Sequence, residues 1–360
     1  MAAGRIFIVA EAGVNHNGST ELALRLVDAA KAAGADAVKF QTFRAARLAT
    51  PSAPKARYQS VGAEAGESQL QMLRKLELGN RAHRLIAARC RAKGIGFLST
   101  PFDPGSLSFL ARDLRISRIK ISSGDLTNGP LLLSAARTGK PILLSTGMAT
   151  LGEVEEALGI LAFGYTRRAG NPSPRSLSQS FRSPRGRRFL ERKVLLLHCT
   201  SEYPSPAADA NLRAMATLRA AFGLPVGFSD HTEGIAVAVA AAALGAAAIE
   251  KHLTLDRTLP GPDHGASVEP EMFSRMVRGI RETEAALGDG RKIPADGEAE
   301  TAAVARKSLV ASRRIRRGEP FSRGNVTVRR PGTGISPMRY WETLGKRAGR
   351  EYGAGEVIDR

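Results

Sequence analysis

Two hydrophobic patterns alternate along the chain. Short apolar or β-branched runs recur, each closing on or next to Gly, Ser, Thr or His: IFIVAEAG (6–13), DAVKFQT (36–42), IGFLSTP (95–101), RIKISSG (118–124), PILLSTG (141–147), KVLLLHCT (193–200), PVGFSD (225–230) and AAIEKHL (247–253). They are apolar on both faces, which predicts buried parallel strands. Between them the pattern predicts helices over 19–33, 80–93, 105–115, 129–138, 151–163, 209–222, 232–244 and 270–287. Ser19 before Glu21 and Thr150 before Glu153 are start signals, and Gly34, Gly94, Gly139 and Gly245 stand where helices should stop.

Eight β-α units within residues 1–287 predict an α/β fold of the (β/α)8 TIM-barrel kind, with an open doubly wound sheet as the alternative. The barrel is preferred because the count is eight and every strand ends on a polar group. The connection after the second strand (43–78) is long. The segment 164–190 is rich in Ser, Pro, Gly and Arg and poor in apolar residues, which predicts a flexible basic insertion. Residues 288–304 read as a polar linker, and 305–360 as a small β-rich module with short strands and glycine turns.

Composition narrows the function. Only 5% of residues are aromatic, so an aliphatic core is expected. Cys90 and Cys199 are the only cysteines, which excludes a disulfide-rich secreted scaffold. No apolar run is long enough to span a membrane, and the N-terminus lacks a secretory pattern, so a cytoplasmic location is expected. The formal charge of +19 points at first to nucleic acid. It resolves into +8 in 164–193 and +11 in 304–350, leaving the rest of the chain neutral. A nucleic-acid-binding protein is therefore a weaker reading than an enzyme. The basic insertion has only Phe163, Tyr165, Phe181 and Phe189 nearby for stacking.

Barrel enzymes carry their reactive groups at the C-terminal ends of the strands. Those ends supply Glu11, Lys39, Gln41, Thr100, Ser123, Asp125, Ser145, Thr200, Ser201, Ser229, His231 and His252. His231 and His252 end neighbouring strands, which lie ~4.8 Å apart, so the two imidazoles could share one divalent ion or simply be hydrogen-bonded lining. Lys39 with Thr100 and the serines makes a plausible phosphate cradle, against the plainer reading of small residues before tight turns. Glu11 and Asp125 are available for proton transfer, or as salt-bridge partners of Lys39 or Lys120. Asn17 is read as a cap of the first helix.

AEAGVNHNGS (10–19), DAVKFQT (36–42), STPFD (99–103), KISSGD (120–125), LSTGM (144–148), LHCTSEYPSP (197–206), FSDHT (228–232), EKHLTLDRTLPGPDH (250–264) and RPGTGISP (330–337) resemble the sialic acid synthase family. The resemblance covers nearly the whole chain apart from 164–190. It implies a (β/α)8 barrel followed by an antifreeze-like SAF domain. It also implies condensation of phosphoenolpyruvate with an open-chain N-acyl-mannosamine-type sugar, releasing phosphate. A divalent metal is implied, Mn2+ first, with Mg2+ or Co2+ as alternatives. So is a homodimer in which each SAF domain caps the partner's barrel.

Position by position, Lys39, Thr100, Ser123, Ser145, Ser201 and Ser229 match phosphoenolpyruvate contacts, and His231 and His252 match metal ligands. Glu11 matches a carboxylate near the reacting atoms, with Asp125 as a second catalytic candidate. Gln41, Tyr203 and Asp263 match sugar contacts, and Arg330 matches an arginine lent to the partner's site. Two departures stand out: Asp125 replaces a Glu of many members, and Ser201 an Asn of some. The implied reaction is first that of an N-acetylneuraminate synthase. The alternative is an N,N'-diacetyllegionaminate synthase using 2,4-diacetamido-2,4,6-trideoxymannose, towards which SSGDLTN (122–128) and PKARYQ (54–59) lean. An aldolase or another phosphoenolpyruvate condensation on the same barrel is a further enzyme reading.

Overall fold

The computed structural model describes residues 5–56, 59, 67–167 and 169–359. Arg57 and Tyr58 of the PKARYQ motif, and Arg168 of the basic segment, lie outside the described residues. The chain divides into two units, 1–289 and 290–360.

All eight strands of the first unit form where the apolar runs predict them. They are β1 (Phe7–Gly13), β2 (Ala37–Thr42), β3 (Gly96–Pro101), β4 (Ile119–Ile121), β5 (Ile142–Ser145), β6 (Val194–His198), β7 (Val226–Asp230) and β8 (Ala248–His252). They run in parallel in the order β3-β2-β1-β8-β7-β6-β5-β4, and β3 meets β4 at the seam.

Alternation along each strand gives the barrel its interior. Val9, Ala37 and Leu98 form one apolar group there with Phe7, and Leu143, Leu197 and Ala248 form another with Phe7 and Leu195. Two residues further along the same faces come Glu11, Lys39, Thr100, Ser145, Cys199 and Glu250, with Lys120 and Ser229 beside them. The outward faces, such as Ile8, Ala10, Val38 and Phe40, join the main core beneath the helices. A dry floor thus underlies a polar mouth, the arrangement a period of two produces once a sheet closes.

The helical layer comprises α1 (Thr20–Ala32), α2 (Ala45–Leu48), α3 (Gln69–Leu76), α4 (Asn80–Lys93), α5 (Pro104–Ser108), α6 (Gly129–Arg137), α7 (Leu151–Thr166), α8 (Pro174–Arg182), α9 (Pro184–Lys193), α10 (Ala214–Phe222), α11 (Ala236–Ala243) and α12 (Pro270–Leu287). Thr150 and Glu153 close a capping box on α7, and Gly94 ends α4 with φ +63°. Ser19, not Asn17, caps α1 by accepting from Leu22 N–H; Asn17 instead accepts from His264 at 3.2 Å.

One expectation is overturned. The segment 164–190, read as flexible, carries the hairpin α8–α9 packed on α7. Its Ser-Pro pairs are start signals. Ser173 and Ser183 accept from N–H groups of the first turns, with Pro174 and Pro184 at the first helical positions. Leu190 is fully buried and Phe189 stacks on Tyr165. Composition alone masked a few well-spaced anchors. The hairpin follows the C-terminus of α7 and precedes β6, so it belongs to the end of the barrel opposite the mouth.

In the second unit, α13 (Glu298–Ala305) occupies the end of the stretch read as a polar linker. It is followed by β9 (Ser308–Ala311), β10 (Val326–Arg329) and α14 (Tyr340–Thr343). β9 and β10 pair antiparallel, and Leu309, Ile315, Phe321, Val326, Tyr352 and Ile358 make a separate small core.

Candidate active site

The barrel mouth holds a cavity of about 460 Å³. Twelve of the residues selected from the sequence line it: Glu11, Lys39, Gln41, Thr100, Ser123, Ser145, Ser201, Tyr203, Ser229, His231, His252 and Asp263. A larger cavity of about 780 Å³ lies in the second unit, but its lining carries no histidine or cysteine. The chemistry therefore belongs to the mouth.

The floor of the cavity is a buried charge network. Lys39 Nζ lies 2.6 Å from Glu11 Oε2 and 3.7 Å from Glu250 Oε2, while Lys120 Nζ donates to Glu250 Oε1 at 2.9 Å. Ser229 Oγ also donates to Glu250 Oε1, and Lys39 reaches Thr100 Oγ1 at 3.4 Å. The register places these groups side by side, with Glu11 opposite both Lys39 and His252, and Ser229 opposite Glu250.

The two glutamates diverge in acidity. Burial pushes Glu11 above the usual carboxylate range, against the pull of Lys39, and Glu250 adds to the rise. Burial works the same way on Glu250, but Lys120, Lys39 and Ser229 outweigh it and hold it down at about 2. Glu250 is therefore the fixed counterion, and Glu11 is the group that takes up a proton more readily. Burial also lowers Lys120, opposed by Glu250. Asp263 is pushed up to about 7 by burial and by Glu11.

His231 and His252 face each other above this layer, with ring centroids 5.5 Å apart. Burial lowers His231 to about 4, against its hydrogen bond to the Thr200 carbonyl, and puts His252 well below the ordinary value. Both are neutral near pH 7. The 2.6 Å bond from His231 Nδ1 to Thr200 O fixes the tautomer and leaves Nε2 as an acceptor. His252 Nδ1 is buried without a hydrogen-bond partner, 3.7 Å from Asp263 Oδ2. Tyr203 closes over the pair, its ring 4.2 Å from that of His231. No cluster of three or more His, Cys, Asp or Glu ligands is present among the described residues. Two neutral imidazoles, one with an orphaned nitrogen, fit a divalent ion that keeps open positions for water and substrate oxygens.

At the ends of β4 to β6, Ser123 Oγ accepts from Gly147 N–H at 3.0 Å and lies 3.2 Å from Cys199 Sγ. Ser145 Oγ is buried without a partner. These hydroxyls and the two lysines converge from several directions, as an anion requires.

Asp125 does not join them. It sits in a 3-10 turn (Ser123–Asp125) just after β4, where it accepts from Ser122 Oγ at 2.8 Å and Asn128 Nδ2 at 3.0 Å, and it does not line the cavity. The strand ends at Ile121, so the inward-outward alternation does not extend to Asp125. Arg330 lies in the second unit, between β10 and Pro331. Lys120 and Glu250, passed over as mouth residues from the sequence, are central. The signal for Lys120 was a charged residue between two apolar neighbours of a buried strand, Ile119-Lys120-Ile121, while Glu250 stands beside Lys251 in a strand buried throughout.

A model of the NeuB family matches residues 26–292, and a model of the SAF domain matches 306–359. The chain belongs to the NeuB family. Among NeuB-type relatives it is 46% identical over 354 residues to an N,N'-diacetyllegionaminic acid synthase of Campylobacter jejuni, covering 98% of this chain and 99% of that protein. It is 44% identical over 352 residues to the Legionella pneumophila protein of the same name, covering 98% and 93%. A solved N-acetylneuraminic acid synthetase from Leptospira borgpetersenii, in complex with citrate, superposes with a TM-score of 0.66 at 34% identity, covering 83% of this chain and 90% of that one. Among the described residues of this NeuB-family chain, no helix is long and apolar enough to cross a membrane.

Proposed function

We propose that the chain is an N,N'-diacetyllegionaminate synthase. It condenses phosphoenolpyruvate with 2,4-diacetamido-2,4,6-trideoxymannose and releases phosphate. The relatives at 46% and 44% identity carry this choice of sugar. It replaces the first expectation, N-acetylneuraminate, whose synthetase stands at 34%.

The buried network of two lysines and two glutamates supports the chemistry. Lys39, Lys120, Thr100, Ser123, Ser145, Ser201 and Ser229 hold the phosphate and carboxylate of phosphoenolpyruvate. Gln41, Tyr203 and Asp263 orient the sugar so that its carbon one faces carbon three of phosphoenolpyruvate, and fixed orientation of this kind is worth several kcal/mol. Carbon three bonds to the aldehyde carbon, and water adds to carbon two. Glu11 takes the proton of that water. The resulting tetrahedral carbon expels phosphate with cleavage of its C–O bond.

His231 and His252 would hold the divalent ion, Mn2+ before Mg2+ or Co2+, which when bound polarises the sugar aldehyde. Chelation by EDTA is expected to abolish product formation and added Mn2+ to restore it; full activity after complete metal removal would sink this role. Arg330 is assigned to the barrel mouth of a second subunit. Mixing inactive Arg330→Ala with inactive Lys39→Ala should recover activity if that assignment holds.

The decisive experiment measures phosphate release from phosphoenolpyruvate with each sugar in parallel. The diacetamido sugar should give the higher kcat/KM, and a preference for N-acetylmannosamine would reverse the assignment. Turnover of either sugar without phosphoenolpyruvate would indicate an aldolase instead.

A further inference from the structure

The cavity has two unlike sides. His231, His252, Tyr203 and Asp263 come from the β6–β8 side, all polar or aromatic. From the β2–β3 side come Leu48, Leu73 and Phe102, an apolar patch set among the amides of Gln41, Gln59 and Gln69. These three are not part of the main barrel core. They belong to a satellite apolar cluster built by the long β2–α4 connection, in which Leu73 joins Val14, Phe43, Leu70 and Leu76, and Leu48 and Phe102 pack against them. Phe102 meets Phe43 edge-on at 6.2 Å.

The cluster is held in place. Glu77 accepts from Arg44 Nη1 at 2.6 Å and from Ala45 N–H, the first residue of α2, at 2.8 Å. On the β5 side of the cavity stands a separate apolar group, Met148. It is 74% exposed and takes a left-handed backbone conformation with φ +64°. A non-glycine residue held there is costly, and such strain concentrates at functional sites.

We infer that Leu48, Leu73 and Phe102 form the subsite for the methyl-bearing end of the acceptor sugar, its C4 acetamido group and its C6 methyl. The inference rests on the proposed reaction with a 2,4-diacetamido-2,4,6-trideoxy sugar. If the aldehyde carbon lies at the two imidazoles, the far end of the open chain points away from β8. An extended six-carbon chain with bonds of ~1.5 Å reaches about 6 Å from carbon one to carbon six. A methyl contact adds ~4 Å. Together these give a reach of ~10 Å, about two strand spacings, which carries the far end towards the connection that follows β2.

The chemistry of the wall selects between the two sugars. N-acetylmannosamine carries hydroxyls at C4 and C6, and a hydroxyl turned onto Leu48, Leu73 or Phe102 loses its water without gaining a partner from them. The diacetamido sugar turns methyl groups onto those side chains, while the N–H and C=O of its C4 acetamido group lie within the part of the cavity that Gln41, Gln59 and Gln69 also line. An apolar pocket discriminates at this level by roughly 10- to 200-fold.

The test compares kcat/KM for the two sugars in wild type, Leu48→Asn and Leu48→Met. Leu48 is only half-buried, so polar substitution should leave the fold intact. The preference for the diacetamido sugar should fall by about tenfold in Leu48→Asn and stay near wild type in Leu48→Met. Should Leu48→Asn fail to fold, Phe102→Tyr, which adds one hydroxyl to the same wall, should lower the same ratio. A wild-type preference for the diacetamido sugar with an unchanged ratio in these variants overturns the subsite alone. A wild-type preference for N-acetylmannosamine overturns the proposed reaction, and the subsite with it.

Discussion

Lys251 Nζ donates to Asp230 Oδ2 and to the Thr232 carbonyl, each at 2.7 Å, with both charged side chains essentially without exposure. The other oxygen of Asp230 accepts from Thr232 N–H and Oγ1. The pair lies on the outward face of β7 and β8, one residue before His231 and His252 respectively. It ties together the two strand ends that present the imidazoles. Both charges are fully hydrogen-bonded, which a buried ion pair needs if its attraction is to offset desolvation. Lys251→Met leaves Asp230 buried and unpaired, so urea unfolding should show a loss of about 3–5 kcal/mol. The double variant Asp230→Asn with Lys251→Met removes that orphan charge and should recover part of the loss. Equal losses in the two proteins would mean the pair contributes only packing.

Gly147 sets the spacing of the hydroxyl ring. A Cβ there would press into Ser201 Oγ and lie 2.8 Å from Ser123 Oγ and 3.0 Å from Cys199 Sγ. Gly147→Ala should therefore displace groups assigned to phosphoenolpyruvate. The KM for phosphoenolpyruvate should rise by about tenfold or more, since misplacement by ~1 Å can cost 100-fold in rate. The thermal midpoint should shift far less. An unchanged KM would remove Ser123 and Ser201 from the anion site.

Asp125 and Lys39 make a contrasting pair. The Asp125 carboxylate is occupied by Ser122 and Asn128, and Lys39 sits at the centre of the charge network. Asp125→Asn should reduce kcat/KM by no more than about threefold, while Lys39→Met should lose roughly 100- to 1,000-fold, as for other preorganised charge stabilisers. A loss of that size in Asp125→Asn would restore it to the catalytic set.

Acid should weaken the fold through two histidines remote from the imidazole pair. His16 is held down to about 3 by burial and by His83, and burial likewise lowers His83. His16 stacks on Phe40, and His83 bonds to Thr42 Oγ1 at 2.9 Å. A folded value below the unfolded one means the neutral form stabilises the fold. That contribution is complete above pH ~6.5 and is lost as the pH falls towards the folded value. For one such group the loss reaches about 2 kcal/mol at pH 5. Urea midpoints measured from pH 7.5 to pH 5 should fall, and His16→Asn should flatten the slope. Equal slopes in both proteins would show that His16 binds its proton equally well folded and unfolded.

Much of the barrel was legible in the chain. The eight strands follow from apolar runs whose neighbours along the sheet are other strands, so burial on both faces leaves a one-dimensional signature. The mouth residues follow from where those runs stop: ten of the twelve strand-end side chains line one cavity, all but Asp125 and Thr200, and the family likeness added Tyr203 and Asp263. Asp125 stands outside the cavity lining because a 3-10 turn re-aims side chains within three residues of a strand end, a local change that period-two reasoning does not register. The hairpin at 174–193 was misread because arginine-rich composition hid two capped helices anchored by Leu190 and Phe189.

What the sequence by itself determined was the order of elements, the family likeness and the set of polar strand ends. Only the tertiary structure decided which charges meet. Glu11, Lys39, Lys120 and Glu250 come from four strands as far apart in the chain as 239 positions, and the sheet's closure puts them within a few ångströms. Nor does the chain order distinguish Lys120, which faces inward to a glutamate, from Lys251, which faces outward to an aspartate. Closure decides that, because it turns one face of every strand towards a shared interior and the other towards the helices.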